Sequence, residues 1–491
     1  MNYQIAKAEH SVKLSSVLKE IFPEPMAPIA TVFNDELAAS FYNADSTRLA
    51  HMRQACRTAK RIVSQMNYDK ELSDKIIIAA LFHDIGYSEK LAKTGFHPLD
   101  GAAYLAHCGA PEDVIEAVLW HSSTPLEIQN LPEIKVYYDK FPVPDLENIL
   151  IRTVCYCDFR TSPLGESFSF GQRIVELKNR FGTGSIAPAI AKKTLPAARK
   201  DQDYLARNIT QNRNAPLPWI FCDIDGTLIE PGNIIDEISA NAIERFRSAG
   251  GKFSLVTGKH LISIPELIEI VGSENAHAGV NGSLINRSGD LSLHGTTIAQ
   301  CKSIEETLLE AGIHYATYVT DGIWTRSDLL KAELDAFTLV GETLPQKGLT
   351  PEKKGVIKVL TFSHRNKIEQ CKFVRKLAEK HGLSCVRTAE EFLEIGPAKH
   401  GKHSAAMQIM KEIGWPDLNS IAIGDSENDL TMFGHAGLSA AVANAAPEVL
   451  PAADLHIPSC QDHGVAKLLD ELVESSKDGY WSIPRKWLVQ H

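Results

Sequence analysis

The sequence has no apolar run long enough to cross a bilayer. Its densest stretch, IIIAALF at 76–82, falls far short of the roughly 20 residues a spanning helix needs. The start, MNYQIAKAEHSVKL, lacks the apolar segment of a secretory signal. Regular cysteine spacing is missing too. Nine cysteines, an odd number, are scattered over 491 residues, and Cys155 and Cys157 lack the gap of a zinc site. Buried or idle thiols in a reducing cytoplasm are therefore expected. There is no basic excess: 51 Lys and Arg face 61 Asp and Glu, a net charge of −10. Residues 1–215 hold 25 of each sign, and residues 216–491 hold 26 basic and 36 acidic side chains. That excludes a basic nucleic-acid footprint, so neither a nucleic-acid polymer nor a membrane is expected as partner. Long repeats and low-complexity tracts are also absent. With 44% hydrophobic and 23% charged residues, wholesale disorder is excluded.

What is present divides the chain. A length of 491 residues suggests about three modules. From Arg48 to about Arg207 the pattern is helical. HMRQACRTAKRIVSQM offers one face in Met52, Cys56, Ala59 and Val63. SDKIIIAALFHDIG reads as a second helix, capped by Ser73 or Asp74 and ended by Gly86. PEDVIEAVLWHSS, starting at Pro111, and PDLENILIRTVCYCDF read as a third and a fourth. Polar, proline-bearing QNRNAPLPW marks a linker over 208–217. Beyond it, strand WIFCDID, helical EISANAIERFRSAGG and strand KFSLVTG begin an alternation that continues to the end. Such alternation predicts a parallel α/β sheet.

Two sets of residues carry chemistry. In the helical part, His51, His83-Asp84, His97, His121 and Asp158 fall at or near helix ends. A mixed nitrogen–oxygen set suits ferrous iron or manganese. Paired metals about 3.5–4 Å apart clamp the attacking and leaving oxygens of a phosphate ester. With HDIGYSEKLAKTGFHPLDGAAYL, WHSS and CDFRTSPLGE, the stretch 45–185 resembles the HD-domain superfamily of metal-dependent phosphohydrolases. The resemblance implies an all-α domain over 1–207. It also implies one metal on His51, His83, Asp84 and Asp158 and a second on Asp84, His97 and His121. AAYLAHCGAPEDVIEAVLWHSS is similar to HD hydrolases that split dinucleoside polyphosphates. The same ligand set occurs in mixed-valent di-iron oxygenases of the superfamily, so oxygenase chemistry is an alternative, as is a ligand-sensing regulatory role. Lys90 or Lys93 is a candidate to orient a phosphate.

In the second half, FCDIDGTL places Asp223 and Asp225 two residues apart after a short apolar strand. Residues i and i+2 share a strand face, and open α/β sheets react at strand carboxyl ends. Asp223 suits a nucleophile and Asp225 a general acid and base. Gly226 lets the backbone approach the substrate, and Thr227 supports the turn. FSLVTGK follows with Thr257, Gly258 and Lys259. Further on, EIGPAKHGKHSAA supplies Lys402, and IAIGDSENDLTMF supplies Asp425, Asn428 and Asp429. This ordered set resembles the haloacid dehalogenase superfamily over about 217–475. The resemblance implies a Rossmann-like α/β core and an aspartyl-phosphate on Asp223. It implies a phosphate contact from Thr257 and charge compensation by Lys402. Magnesium would be held by Asp223, Asp425 and the backbone carbonyl of Asp225, with Asp429 supporting. GVNGSLI is similar to the Cof-like branch, which includes sugar phosphatases. That implies an α/β cap inserted at about 297–390 between core segments 218–296 and 391–491. Asn281 either contacts substrate or makes a tight turn. Thr227, Gly258, Lys259 and Asn428 complete the substrate-binding candidates. Lys259 replaces the usual arginine, keeping the charge without its bidentate geometry. The expected protein is a bifunctional phosphohydrolase acting on small phosphorylated substrates: a sugar phosphate-like monoester in one domain, a nucleotide-like ester or anhydride in the other.

Overall fold

A computed structural model describes residues 13–25, 27–213, 216–232, 234–352, 354–387, 390–397, 401–476 and 479–490. The chain divides into two compact units at Arg213.

The first unit is helical, and no strand is formed among its described residues. Its longest early helix, Thr47–Gln65, starts where the Ser46 hydroxyl accepts from Leu49 N. It buries Leu49, Met52, Ala55, Cys56, Ala59 and Ile62, each large apolar group contributing about 1.5–3 kcal/mol. The next helix, Lys70–Phe82, begins before the expected Ser73 or Asp74. Asp69 is the cap, accepting from Leu72 N at 2.8 Å, and Lys70 and Glu71 are good helix formers. Gly86 follows in the 3-10 turn Ile85–Tyr87. A Cβ there would lie 2.1 Å from the His97 carbonyl oxygen and 2.6 Å from Gly101 N. Glycine is what lets the turn after His83-Asp84 touch the helix His97–His107. Helices Glu112–Trp120 and Ile149–Phe159 bring in the remaining donor segments. The last helix runs Ile186–Arg213, so 208–213 is helical and not part of a linker. Those residues contain no helix breaker, and the prolines stand at 216 and 218. Residues 214–215 lie outside the described set.

The second unit holds fourteen strands among its described residues. In chain order they are β1 (Trp219–Cys222), β2 (Lys252–Leu255), β3 (Ala276–Gly279), β4 (Leu284–Arg287) and β5 (Asp290–Leu293). Then come β6 (Tyr315–Val319), β7 (Gly322–Thr325), β8 (Gln346–Lys347), β9 (Val356–Phe362), β10 (Ser384–Arg387) and β11 (Phe392–Gly396). β12 (Ser420–Gly424), β13 (Leu438–Val442) and β14 (Leu455–Ile457) complete the set. The core sheet has the order β14-β13-β12-β1-β2, and every pairing in it is parallel. Its strands are buried along nearly their whole length, as expected where helices cover both faces of a parallel sheet. β3, β4 and β5 form an antiparallel meander.

The cap is a six-stranded sheet, β10-β11-β9-β6-β7-β8. It is antiparallel apart from β7 with β8. FLEIG, expected to open the returning core segment at 391, is β11 and lies inside the cap, paired with β9 and β10. The crossing back to the core therefore follows Gly396. A short apolar run looks the same in either sheet, and only its partners decide which one it joins.

Candidate active sites

In the C-terminal unit the candidate residues gather beyond the carboxyl ends of β1, β2 and β12. β1 stops at Cys222, although Asp223 N still donates to Ile423 O at 3.0 Å. Strand alternation therefore positions Asp223 alone. Asp225 is set by the turn that follows, where Thr227, Leu228 and Ile229 N all donate to Ile224 O. Gly226 has φ +79°, and a Cβ would sit 2.6 Å from Asp425 Oδ2. Both facts require glycine.

The charges here are compensated within the chain. Lys402, the first residue of helix Lys402–Glu412, is 1% exposed. Its Nζ lies 2.7 Å from Asp223 Oδ1 and 2.7 Å from Asp429 Oδ1. Burial opposes the Lys402 ammonium, but the two carboxylates outweigh it and its pKa is raised. Burial pushes Asp223 up to about 7, with Lys402 opposing and Asp429 adding to the rise. Asp429 Oδ2 accepts from Asp425 N, Ser426 N and the Ser426 hydroxyl, each at 3.1 Å. Carboxylate oxygens of Asp223, Asp425 and Asp429 lie within 4.8 Å of one another. Both oxygens of Asp429 already have partners, so Asp223 and Asp425 are the better-placed donors. This all-oxygen set fits a small hard cation.

The other candidates surround this group. Thr227 Oγ1 donates to Asp425 Oδ1 at 2.8 Å. Lys259 Nζ reaches Asp225 Oδ1 at 2.8 Å, so its positive charge is spent on the second aspartate. Thr257 is buried, and its hydroxyl accepts from Lys259 N at 3.1 Å. Asn281 has φ +53° in the turn after β3, and its Oδ1 accepts from Asn428 Nδ2 at 3.3 Å. It therefore makes the turn and also faces the cluster. An ideal Cβ on Gly258 would lie 3.4 Å from Asn281 Oδ1. Sequence reasoning missed Asn444, whose Nδ2 donates to Gly226 O at 2.7 Å while Oδ1 accepts from Cys460 N at 2.9 Å. A lone Asn in AVANAAPE carries no spacing signal.

In the N-terminal unit all six expected donors meet. His51 Nε2 lies 3.2 Å from His83 Nε2 and 3.1 Å from Asp158 Oδ1. His97 Nε2 lies 3.3 Å from His121 Nε2 and 3.1 Å from Asp84 Oδ1. Asp84 joins the groups: Oδ2 is 3.6 Å from both His51 and His83, and Oδ1 is 3.6 Å from His121. In three of the four rings the other nitrogen has a partner of its own. Nδ1 of His51, His83 and His121 faces the carbonyls of Ser162, Ala80 and Val118 at 3.1, 2.9 and 2.7 Å. A carbonyl can only accept, so those nitrogens carry a proton, and each ring when neutral aims its Nε2 lone pair inward. Burial lowers His83 to about 4, so it stays neutral. The clusters His51, His83, Asp158 and Asp84, His97, His121 thus fit two cations that accept mixed nitrogen and oxygen donors.

Neighbours of this cluster escaped sequence reasoning. Arg48 pairs with Asp84 Oδ2 and stacks over Tyr87 at 3.9 Å. Tyr87 in turn stacks on His97 at 3.9 Å. The available signal was Arg48 standing one helical turn before His51. Lys90 donates to Ser40 O at 2.7 Å, and neither it nor Lys93 lines the cavity beside the donors.

Both folds have known counterparts. The sequence signature of the haloacid dehalogenase-like hydrolases matches residues 220–469, and that of the HD domain matches residues 48–151. The chain belongs to the haloacid dehalogenase-like hydrolases, with an HD domain preceding that part, and it is a hydrolase of phosphate esters. It is similar to the 5-amino-6-(5-phospho-D-ribitylamino)uracil phosphatase YwtE of Bacillus subtilis, with 28% identity covering 52% of this chain and 97% of that protein. Pyridoxal phosphate phosphatase YbhA of Escherichia coli is 24% identical over 51% of this chain and 96% of its own. A haloacid dehalogenase-like hydrolase structure from Bacteroides thetaiotaomicron is 23% identical, covers 52% of this chain and 98% of its own, and has a TM-score of 0.47. All nine cysteines are free thiols, and no helix among the described residues is long and apolar enough to cross a membrane.

Proposed function

We propose that the chain carries two separate phosphate-cleaving sites. At the C-terminal one, an Asp223 oxygen attacks the phosphorus of a small phosphomonoester and Asp225 protonates the departing alcohol. Asp225 then takes a proton from the water that hydrolyses the aspartyl-phosphate, and inorganic phosphate leaves. Lys402 balances charge between nucleophile and phosphate. Thr257, Gly258, Asn281 and Asn428 hold the transferred group, and Lys259 steadies Asp225. Asp223, Asp425 and the backbone carbonyl of Asp225 would hold magnesium, which supplies charge to offset the phosphate oxygens. The observation that carries this reading is the buried Lys402 ammonium bridging Asp223 and Asp429. Such preorganised charge contributes most where it costs no rearrangement during reaction. The inserted cap favours small substrates, in keeping with the two phosphorylated metabolites in the relatives' names.

At the N-terminal site the six donors would hold two ions of iron or manganese, which supply Lewis acidity toward a phosphate oxygen and toward water. The substrate class is a nucleotide-like phosphoester or anhydride. A panel of phosphomonoesters, diesters and nucleotides, run on full-length variants, tests both halves. Asp223→Asn should remove only monoester turnover. His83→Ala/Asp84→Ala should remove only ester or anhydride turnover, together with the bound iron or manganese. Loss of both activities in either variant contradicts two sites. Dioxygen consumption by the iron-loaded chain contradicts hydrolysis at the N-terminal one.

A further inference from the structure

Beside the six-donor cluster lies a cavity of about 420 Å³, within the range that takes small metabolites. Asp84, His97 and Asp158 line it, as do Tyr87 and two arginines the proposed chemistry does not use. Arg173 and Arg180 stand on one helix, Phe170–Phe181, seven residues apart with Leu177 between them. That spacing puts all three side chains on one face, and all three line the cavity. The helix is fixed at its start by a reciprocal cap between Ser169 and Gln172.

The charge arrangement is uneven. Arg173 Nη1 reaches Glu176 Oε2 at 2.7 Å, and Arg180 Nε reaches Glu176 Oε1 at 3.0 Å. Two guanidiniums thus share one carboxylate. Arg48, the third arginine lining the cavity, is paired with Asp84. Glu127 also lines it, and burial raises its pKa, with Asp158 and Asp84 adding to the rise. Burial disfavours the Arg180 charge, Glu176 supports it, and repulsion from Arg173 and Arg48 adds to the cost. Guanidinium does not deprotonate in proteins. Crowded positive groups in a concave site are relieved by an anion, and arginine binds phosphate or carboxylate oxygens bidentately.

We infer that Arg173 and Arg180 form a second anion subsite, so that the N-terminal site takes small molecules with a phosphate at one end and a second phosphate or carboxylate at the other. The phosphate end faces the donor cluster and the second anion faces the helix. This inference rests on the N-terminal site handling phosphate.

The test uses full-length metal-loaded protein and non-hydrolysable probes in calorimetry. Butylphosphonate carries one anion, 4-phosphonobutyrate adds a carboxylate, and butylene diphosphonate adds a phosphonate. Binding at the N-terminal site is the step that disappears in His83→Ala/Asp84→Ala. A two-anion probe should bind about tenfold or more tightly than butylphosphonate, and which one does identifies the second group. Arg173→Ala/Arg180→Ala should erase that preference while changing butylphosphonate affinity by less than about threefold. Arg180→Gln alone, at a half-exposed position, should reduce it, and Arg173→Lys/Arg180→Lys should restore part of it. No preference in the wild-type chain, or a preference that survives the double alanine variant, overturns the subsite. Equal loss for all three probes overturns it as well. If no probe gives a step that depends on His83 and Asp84, the reading beneath it falls first.

Discussion

The two sites solve the same electrostatic problem in opposite ways. In the C-terminal unit, Asp223 and Asp429 converge on a buried lysine supplied by the chain itself. In the N-terminal unit, imidazole nitrogens face one another at 3.2 and 3.3 Å, with their protons committed to carbonyls on the far side of three of the four rings. Lone pairs at that separation repel. Arg48 relieves Asp84 and the Ser122 hydroxyl donates to Asp158; on the proposed reading, bound cations supply the rest of the attraction. The first site should therefore be rigid without metal. The second should depend on metal for its stability.

The largest effect that would break this contrast is at Lys402. Lys402→Met should lower monoester turnover by roughly 100- to 1000-fold, as for other losses of preorganised charge. It should also destabilise the C-terminal unit by about 3–5 kcal/mol, because two buried carboxylates lose their shared cation. Steady-state rates and denaturant melts check both.

The second test is Gly86→Ala. The added methyl meets the His97 carbonyl, which should cost about 1–3 kcal/mol. The loss should appear only in the N-terminal transition, along with lower metal content by elemental analysis. Unchanged stability would mean the turn and helix can separate freely.

The smallest effect sharpens the comparison with an acid away from both clusters. Burial raises Asp201 to about 7, against opposition from Arg152. Its folded pKa lies above the unfolded one, so its contribution is fully present below about pH 4. That contribution is lost as pH rises through about 7. Between pH 5 and pH 8 the N-terminal unit should lose about 2 kcal/mol that Asp201→Asn does not lose. Parallel melts of both proteins at the two pH values check it.

Much of this was legible in the sequence because spacing survives as geometry. His83-Asp84 followed by His97 keeps its meaning because Gly86 holds that turn against the helix. Asp223 and Lys402 lie far apart in sequence, yet each stands at a strand or helix end, where motifs point. Other features depend on partners the sequence does not name. FLEIG is apolar enough for either sheet, and pairing with β9 and β10 put it in the cap. Asp69 outcompeted Ser73 and Asp74 as a cap because the residues after it favour helix. Arg48, Arg173 and Asn444 look like ordinary surface residues until the fold brings them beside a cavity or a turn.

The most direct measurement is thermal unfolding of the full chain before and after removal of divalent metals, with Gly86→Ala identifying the N-terminal transition. Two tightly held ions contribute about 4 kcal/mol or more. The N-terminal transition should therefore fall by roughly 10 °C, while the C-terminal one moves by less than about 3 °C. Equal shifts in both transitions, or a fall confined to the C-terminal one, would contradict the account.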